Sequence, residues 1–419
     1  MPHRFLLPVV ALLTLAPVAV VAAPAIPLLG GPGGTVFVAG GAVKQTDADL
    51  WGAYAGYARA ARRDKRPKVV VFGTARPSLE AARSAFFTDD ARAWGYKHIF
   101  EHYGLEPVFV PIAIDNFRQA AKDPKNVALL EGASAVWFGG GAQNLHARCL
   151  LNDDGTDTAL MTAVRRVVEK GGIVGGTSAG AAIMDRFTYG DRESYDYMAS
   201  NVLTFRPLSG VIKADSPFGT ERSGGYTHGF NFLQAIDAAV DTHTDARGRY
   251  GRVLVAMREL KNPYGLAIGE DTALAVKGRR GMAYGAGTVF VADGRRAAYT
   301  AKGPFAATGL SVSLIRSHDA FDFDQGAVTG SGTACPPQDP APACPVDVLA
   351  GAGVPDEMAA VATSASPATT CRTHASEAVA FDFTFARGAE TRAFVKGGRI
   401  TVDRLKLTVT PHLATKESR

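Results

Sequence analysis

One serine lies within a run of small residues, 175–182, that reads Gly-Gly-Thr-Ser-Ala-Gly-Ala-Ala. The run follows an apolar segment that ends at Val174 and precedes a stretch that favours a helix. A turn between a strand and a helix can lift a serine hydroxyl out of a sheet if its neighbours are small, as Gly176 and Gly180 are. The pattern predicts that Ser178 is a nucleophile. The alternative is a serine that only caps the helix.

A serine nucleophile needs a general base, and the base needs an acidic partner that orients it. Among the nine histidines, His243 has the most suggestive neighbours, because Asp241 precedes it and three arginines follow it closely. These arginines are Arg247, Arg249 and Arg252. We predict that His243 is the base, with a charged surface helix as the alternative. The competing bases are His98, His102 and His228.

A second glycine run, residues 139–141, lies where another predicted strand ends. Backbone N–H groups at such a turn can stabilise the oxyanion that forms when a nucleophile attacks a carbonyl. We predict this role for Gly140 and Gly141, together with the N–H group of Ala179 beside the nucleophile. Gln143 can add a side-chain donor to the substrate. The alternative is a plain turn between a strand and a helix.

The elements that would position these residues alternate along the first half of the chain. The predicted strands are residues 35–38, 69–72, 108–112, 135–138 and 173–174, and the predicted helices include 47–62, 81–103 and 158–170. Continuous apolar strands between amphipathic helices predict an α/β fold, in which helices cover both faces of a mostly parallel sheet. Active sites of such sheets lie at the carboxyl ends of the strands, where the glycine runs occur.

The chain changes character after residue 257, where short apolar runs predict a β-rich meander. Residues 320–376 are rich in Pro and Ala and contain three of the four cysteines. In an oxidising compartment we expect a disulfide there, with Cys335–Cys344 as the first candidate and the other pairings open. We therefore divide the mature chain into a catalytic domain at residues 30–300 and a β-rich continuation at residues 301–419.

Residues 1–23 predict a secretory signal peptide, because a positive charge at Arg4, an apolar run and a small-residue exit are typical of one. The run is shorter than the roughly 20 residues that span a bilayer, so we expect cleavage, export to the extracellular or periplasmic space and no membrane anchor. The formal net charge of +5 comes from scattered Lys and Arg and gives no support for a nucleic-acid partner. We expect no metal and no organic cofactor, since the cysteine spacing suits no zinc site.

Taken together, the motifs resemble those of cyanophycinase and dipeptidase E, a family of serine peptidases. The matching segments, in the family's order, are residues 37–41, 138–143, 175–182, 241–252 and 269–273. The spacing of the histidine and the three arginines in the fourth segment is much more specific than the serine motif. The resemblance implies a fold like that of class I glutamine amidotransferases, which is flavodoxin-like.

The resemblance also implies roles for individual residues. Ser178 would be the nucleophile, His243 the base and Glu193 the acid, with Asp196 as the reserve. The positions that match the substrate site are Gln143, Asp241, Arg247, Arg249 and Arg252. The family's polymer, cyanophycin, has a poly-aspartate backbone with an arginine joined to each side chain. The arginines of the protein would bind its carboxylates, and Glu270 or Asp271 would bind its guanidinium groups.

The resemblance therefore implies a secreted serine exopeptidase that hydrolyses this polymer to β-aspartyl-arginine dipeptides. One position departs from the family, because Thr242 lies where the family usually has Gln between the Asp and the His. Threonine cannot replace both the donor and the acceptor of an amide. A related peptidase that acts on other aspartyl or isoaspartyl peptides is thus an alternative. The oligomeric state, including a homodimer, stays open.

Functions of other classes are also compatible with these residues. An α/β-hydrolase esterase would share the serine turn, but an acid two residues before the histidine is poorly placed to orient it. A secreted binding protein would keep the fold without a complete triad. A glutamine amidotransferase is set aside, because it needs a cysteine where Ser178 lies.

Overall fold

The structure, a computed structural model, describes residues 26–62, 66–90, 93–190, 194–200, 203–210, 224–329, 332–337, 343–373 and 379–413. The predicted signal peptide and the predicted acid Glu193 lie outside the described residues. Numbered in chain order, the helices of this part of the chain are α1 (Ala48–Ala61), α2 (Leu79–Phe87), α3 (Tyr96–His102), α4 (Phe117–Ala120), α5 (Pro124–Ala128), α6 (Gln143–Leu150), α7 (Ala159–Glu169), α8 (Ala179–Ala182), α9 (Ser194–Ser200), α10 (Thr244–Arg247), α11 (Tyr250–Leu260) and α12 (Gly353–Thr363).

The strands before residue 270 are β1 (Thr35–Ala39), β2 (Lys68–Phe72), β3 (Asp89–Asp90), β4 (Ala93–Trp94), β5 (Glu106–Phe109), β6 (Ala135–Phe138), β7 (Ile173–Thr177), β8 (Phe187–Gly190), β9 (Leu203–Phe205), β10 (Gly224–His228), β11 (Ala238–Thr242) and β12 (Tyr264–Ile268). The later strands are β13 (Thr272–Lys277), β14 (Arg280–Gly285), β15 (Val289–Asp293), β16 (Ala298–Tyr299), β17 (Ala307–Ile315), β18 (Ala320–Asp322), β19 (Ala327–Thr329), β20 (Thr333–Ala334), β21 (Ala368–Arg372), β22 (Val379–Ala386), β23 (Arg392–Lys396) and β24 (Arg399–Leu413).

The first large sheet has the strand order β19-β18-β14-β13-β1-β7-β6-β2-β5. In the part β1-β7-β6-β2-β5 of this order, all neighbouring strands are parallel. Strands β13, β14, β18 and β19 pair antiparallel with their neighbours. Both faces are buried: along β6, Val136 and Phe138 pack into one core and Ala135 and Trp137 into another. Residues of α7 belong to the first core and residues of α1 to the second. The predicted α/β fold is confirmed.

The second large sheet has the strand order β11-β12-β15-β17-β24-β22-β21. Strands β11 and β12 are parallel, and the remaining neighbours are antiparallel. Its core contains buried aromatic and aliphatic residues such as Phe290, Phe383 and Leu407. Helix α11 contributes to this core through Val253 and Leu254, so it packs on the sheet that carries β11 and β12.

The predicted helix at residues 81–103 is wrong, because the structure interrupts it with the hairpin of β3 and β4. Gly95 explains the break. Its N–H group donates to the carbonyl oxygen of Thr88 at 2.6 Å, and a Cβ at this position would lie 2.5 Å from the carbonyl oxygen of Phe86. The backbone of Gly95 thus approaches the end of α2 too closely for any side chain, and α3 begins directly after it.

The predicted disulfide Cys335–Cys344 is also wrong, because Cys344 is bonded to Cys371. Strand β21 adds to the edge of β22, and the carbonyl oxygen of Arg372 accepts a hydrogen bond from Val348 at 3.2 Å. This places Cys371 beside the segment that carries Cys344. Cys335 follows β20 and lies beside β23, where its N–H group donates to the carbonyl oxygen of Ala393 at 2.9 Å.

Within the part of the chain that the structure describes, no helix combines the length and the apolar character needed to cross a bilayer. A three-stranded sheet, β8-β10-β9, lies between the nucleophile segment and β11 along the chain.

Candidate active site

The carboxyl ends of β7, β11 and β12 meet where the two large sheets adjoin. The chain leaves the second sheet after β12 and enters the first sheet at β13 through residues 269–271. Gly40 accepts a hydrogen bond from the N–H group of His243 at 2.7 Å and donates to Thr272 at 2.8 Å. Gly41 accepts one from Asp271 at 2.9 Å. The loop after β1 therefore fastens the ends of both sheets together.

Ser178 lies in a strained turn at the end of β7. Its φ and ψ angles are 53° and −116°, a region that residues with a Cβ rarely adopt. The turn is held by the N–H group of Ser178, which donates to Ala39 at 2.9 Å. The hydroxyl makes no capping hydrogen bond to α8, so the capping alternative does not describe this serine. Helix α8 itself is only 4 residues long.

The ring of His243 bridges Ser178 and a carboxylate. Its Nε2 atom lies 2.9 Å from the Oγ atom of Ser178, and its Nδ1 atom lies 2.7 Å from an Oε atom of Glu270. A carboxylate can only accept, so Nδ1 carries the proton and Nε2 accepts the proton of the serine hydroxyl. This is the relation of base to nucleophile and orienting acid that acyl transfer requires.

Gly41 determines where this ring lies. Its φ angle is +108°, and a Cβ at this position would lie 2.2 Å from the Cε1 and Nε2 atoms of His243. The imidazole therefore packs directly on the backbone of Gly41, and no other residue leaves room for it.

The acid in contact with the base is Glu270, whose carboxylate was predicted to bind the substrate's guanidinium groups. That prediction is corrected, because the Glu270 carboxylate holds the ring of His243. Asp245 fixes the position of Glu270 by accepting its N–H group at 2.9 Å. The reserve acid Asp196 lies exposed on α9, and Glu193 lies outside the described residues. The signal for Glu270 was its place two residues after β12, at the carboxyl end of a strand.

Burial, a hydrogen bond and nearby charges act on the pKa of His243. Burial is the largest cause and lowers the pKa below its ordinary value of 6.5. The hydrogen bond to Glu270 opposes this effect, while Arg247 and Arg249 lower the pKa further. The ring is therefore neutral at neutral pH, which is the state that a general base needs.

The predicted oxyanion loop lies beside the nucleophile. A Cβ at Gly140 would lie 3.5 Å from the Cβ atom of Ser178, so the two backbones are close neighbours. The N–H group of Gly140 donates to the hydroxyl of Tyr96 at 3.2 Å. The segment after β2 also holds this loop, because the N–H group of Ala142 donates to the carbonyl oxygen of Ala75 at 3.0 Å.

A buried histidine that the sequence analysis missed supports this loop. The Nε2 atom of His146 lies 2.9 Å from the carbonyl oxygen of Gly139, and its Nδ1 atom lies 2.5 Å from the hydroxyl of Thr74. The carbonyl can only accept, so Nε2 carries the proton and Thr74 donates to Nδ1. Burial lowers the pKa of His146 to about 4, and the ring stays neutral. It fixes the peptide unit whose N–H group belongs to Gly140.

Most of the predicted substrate-binding residues lie away from the nucleophile's cleft or are occupied by other contacts. Asp241 accepts two hydrogen bonds of 2.6 Å from the guanidinium group of Arg252, and both side chains are almost completely buried. Gln143 donates to the carbonyl oxygen of Tyr189 at 2.9 Å. Arg249 donates to the carbonyl oxygen of Thr242 at 3.3 Å, and Arg247 is exposed at the end of α10. Asp241 and Arg252 therefore pair with each other in the interior, and their predicted contact with substrate stays a prediction.

A cleft of about 450 Å³ opens at Ser178 and His243. Its walls include Trp94, which belongs to the hairpin of β3 and β4, Tyr96, which begins α3, and Arg76, which follows β2. The sequence analysis did not predict these residues. Only the rule that sites gather at the carboxyl ends of parallel strands pointed towards Arg76.

The chain is similar to known peptidases. A cyanophycinase of Geminocystis herdmanii is 29% identical over 226 residues, which are 53% of this chain and 72% of that protein. A cyanophycinase of Synechococcus elongatus is 26% identical over 248 residues, which are 57% of this chain and 68% of that protein. The crystal structure of a peptidase from an acI-B1 actinobacterium covers 69% of this chain and 97% of its own, at 16% identity and a TM-score of 0.47. No family model matches the chain.

The sequence relatives confirm the resemblance that the motifs predicted. These relatives support a peptidase that is similar to cyanophycinase over a little more than half of this chain.

Proposed function

We propose that the protein is a secreted serine exopeptidase that hydrolyses cyanophycin to β-aspartyl-arginine dipeptides. The observation that carries this proposal is the position of the His243 ring, 2.9 Å from the hydroxyl of Ser178 and 2.7 Å from the carboxylate of Glu270. The substrate is proposed from the curated relatives, which are cyanophycinases.

In the proposed reaction, Nε2 of His243 takes the hydroxyl proton of Ser178 as Oγ attacks the carbonyl carbon of the scissile amide. The N–H groups of Gly140 and Ala179 are the proposed donors to the oxyanion, with Gly141 as the neighbouring candidate. The N–H group of Gly140 would then exchange its bond to the hydroxyl of Tyr96 for one to the oxyanion. His243 then gives the proton to the leaving amine, and the C–N bond breaks. Water attacks the acyl-enzyme with the same base, and Ser178 is restored.

Glu270 is proposed as the acid of this triad in place of Glu193. As a carboxylate next to Nδ1–H, it keeps the ring in the tautomer whose Nε2 can accept a proton. It also stabilises the imidazolium that forms during attack. The contact at 2.7 Å is what supports this assignment.

We also propose that the first large sheet is of the class I glutamine amidotransferase type, and that the strands after residue 300 extend both large sheets. Export is proposed from the signal-like residues 1–23 and is supported by the disulfide between Cys344 and Cys371, since disulfides persist in oxidising compartments. A homodimer remains compatible with this function.

The test is incubation of the purified mature protein with cyanophycin and mass analysis of the soluble products. We expect β-aspartyl-arginine from the wild type and none from Ser178→Ala. Glu270→Gln should lower the rate roughly 10²–10⁴-fold, the range that positioned acid–base groups contribute, whereas Glu193→Gln serves as the matched control and should stay active.

An intact polymer after incubation with a wild type whose Ser178 reacts with a fluorophosphonate would remove cyanophycin as the substrate and keep the serine hydrolase. Full activity of Glu270→Gln would remove Glu270 from the triad. If only Glu193→Gln lost activity, Glu193 would be the acid of the triad, as the sequence analysis predicted.

A further inference from the structure

The charged side chain in the lining of the cleft beside Ser178 is positive. Arg76 is the cation in its wall, and the remaining lining is aromatic, aliphatic or small, apart from Ser178, His243 and two threonines. No Asp or Glu is found among the described residues that line it. A group that enters this cleft therefore meets a positive potential close to the nucleophile.

The backbone around Arg76 is tied to the oxyanion loop. The N–H group of Arg76 donates to Gly73 at 2.9 Å, which closes a turn directly after β2. The carbonyl oxygen of the preceding residue, Ala75, accepts the N–H group of Ala142. The hydroxyl of Thr74 is bonded to His146, which in turn holds the carbonyl of Gly139. The position of Arg76 relative to the reacting centre is thus fixed by three successive residues.

Arg76 is half-buried, and its guanidinium group makes no hydrogen bond or ion pair with the rest of the described chain. This distinguishes it from Arg252, whose charge Asp241 neutralises. A guanidinium fork that is partly shielded from water and has no acid partner is suited to bind a carboxylate with two hydrogen bonds.

We propose that Arg76 is the specificity-determining residue of the cleft and binds a carboxylate that the substrate carries near its scissile amide. This inference rests on the proposed function, because it takes Ser178 as the reacting centre. It differs from the sequence analysis, which predicted that the substrate's carboxylates are bound by Arg247, Arg249 and Arg252. In cyanophycin the carboxylate belongs to the arginine of a unit; in an aspartyl peptide it belongs to the aspartate side chain.

The first measurement is calorimetric titration of Ser178→Ala protein, which turns nothing over. The ligands are β-aspartyl-arginine and the same dipeptide with an arginine amide, and then Asp-Leu and Asn-Leu. Within a pair only the carboxylate changes. We expect the acid of at least one pair to bind roughly ten- to hundredfold more tightly, as a charged hydrogen-bonded contact provides.

Arg76→Gln in the same background should abolish that preference by weakening the acid and leaving the amide unchanged. Arg76→Lys should restore part of it, because the charge remains and the fork is lost. Arg118→Gln is the matched control, since Arg118 is exposed and lies over the ring of Phe117 instead of in this cleft. An equal preference in Arg76→Gln, or no preference for either acid in the Ser178→Ala protein, overturns the inference.

Turnover of cyanophycin by the protein with Ser178 intact separates the two proposals. Degradation of the polymer with no effect of Arg76→Gln on the acid preference refutes only the role of Arg76. An intact polymer together with a preference that depends on Arg76 refutes only the proposed substrate. A preference restricted to the pair Asp-Leu and Asn-Leu supports Arg76 and identifies an aspartyl side chain as the source of the carboxylate.

Discussion

At the scale of single residues, the imidazole of His243 is held by contacts of different kinds. Gly41 gives it a flat surface, Glu270 fixes its proton on Nδ1, and the hydroxyl of Ser178 lies at Nε2. The neighbouring arginines are not in hydrogen-bond contact with the ring, yet Arg247 and Arg249 lower its pKa through their charge. They therefore act on the pH at which the base becomes available.

Replacement of Arg247 by Gln should move the acidic limb of the pH–rate profile to higher pH. The base works only when neutral, and its lowered pKa keeps it neutral in mildly acidic solution. Removing a nearby positive charge raises that pKa, so protonation and loss of kcat/KM begin at a higher pH. The profile of kcat/KM against pH, measured at low ionic strength, checks this expectation.

Added salt should reduce the difference between Arg247→Gln and the wild type, because Arg247 is exposed and its field is screened. Arg118→Gln removes an equal charge that is not among the named causes of the pKa shift of His243, and it should leave the profile unchanged. A drop in kcat/KM by the same factor at every pH would instead mean that Arg247 contacts the substrate.

At the scale of elements, β11 and α11 are joined by the pair of Asp241 and Arg252. The side chains are 2% and 4% exposed, and the guanidinium group also lies 5.8 Å from the ring of Tyr189. Burial and Asp241 act in opposite directions on the pKa of Arg252, and the carboxylate prevails and raises it. The pair holds the strand that ends at His243 against the helix that covers it.

Arg252→Met should destabilise the protein by roughly 3–5 kcal/mol, because it leaves the carboxylate of Asp241 buried without a partner. The double variant Asp241→Asn with Arg252→Met should lose less, since no buried charge remains. Urea unfolding followed by fluorescence measures both. If Arg252→Met unfolded like the wild type while KM rose strongly, the pair would belong to the substrate site after all.

The sequence allowed the local parts of the site to be predicted and left out those that depend on distant contacts. Ser178 could be predicted because a nucleophile turn is a short pattern of small residues after a strand. Glu270 was given another role, because its contact with His243 depends on how β12 pairs with β11 and how the loop after β1 closes over both. Arg76 carried no motif at all. Similarly, the predicted helix is broken at Gly95 because its backbone packs closely against the end of α2, and hydrophobic periodicity contains no information on such a contact.

At the scale of the whole molecule, the disulfide between Cys344 and Cys371 fastens the segment before α12 to the edge strand β21. Its cysteines are 27 residues apart in the sequence. Closing such a loop restricts the unfolded chain, and the expected stabilisation is roughly 2–4 kcal/mol. The bond lies in the second sheet, away from the cleft of Ser178.

Replacing both Cys344 and Cys371 by Ala should therefore lower the thermal midpoint of unfolding while kcat at low temperature stays near the wild-type value. Peptide mapping of the untreated protein should recover the two cysteines in one linked fragment. A fragment that links Cys335 to Cys344 would contradict the structure and return to the pairing first expected from the sequence. Cys335→Ala serves as the matched single-cysteine control.

The fastening of both sheets by Gly40 and Gly41 has a consequence for the timing of synthesis. These glycines bond to residues more than two hundred positions later, so the loop that supports His243 and Asp271 closes only when the chain has extended through both. Contacts of such long range form late, because a large chain entropy must be lost before they form. A growing chain that already contains Ser178 still lacks His243 and Glu270, the side chains that complete the contacts at its hydroxyl. The site beside Ser178 is thus incomplete until the chain has been synthesised through Asp271.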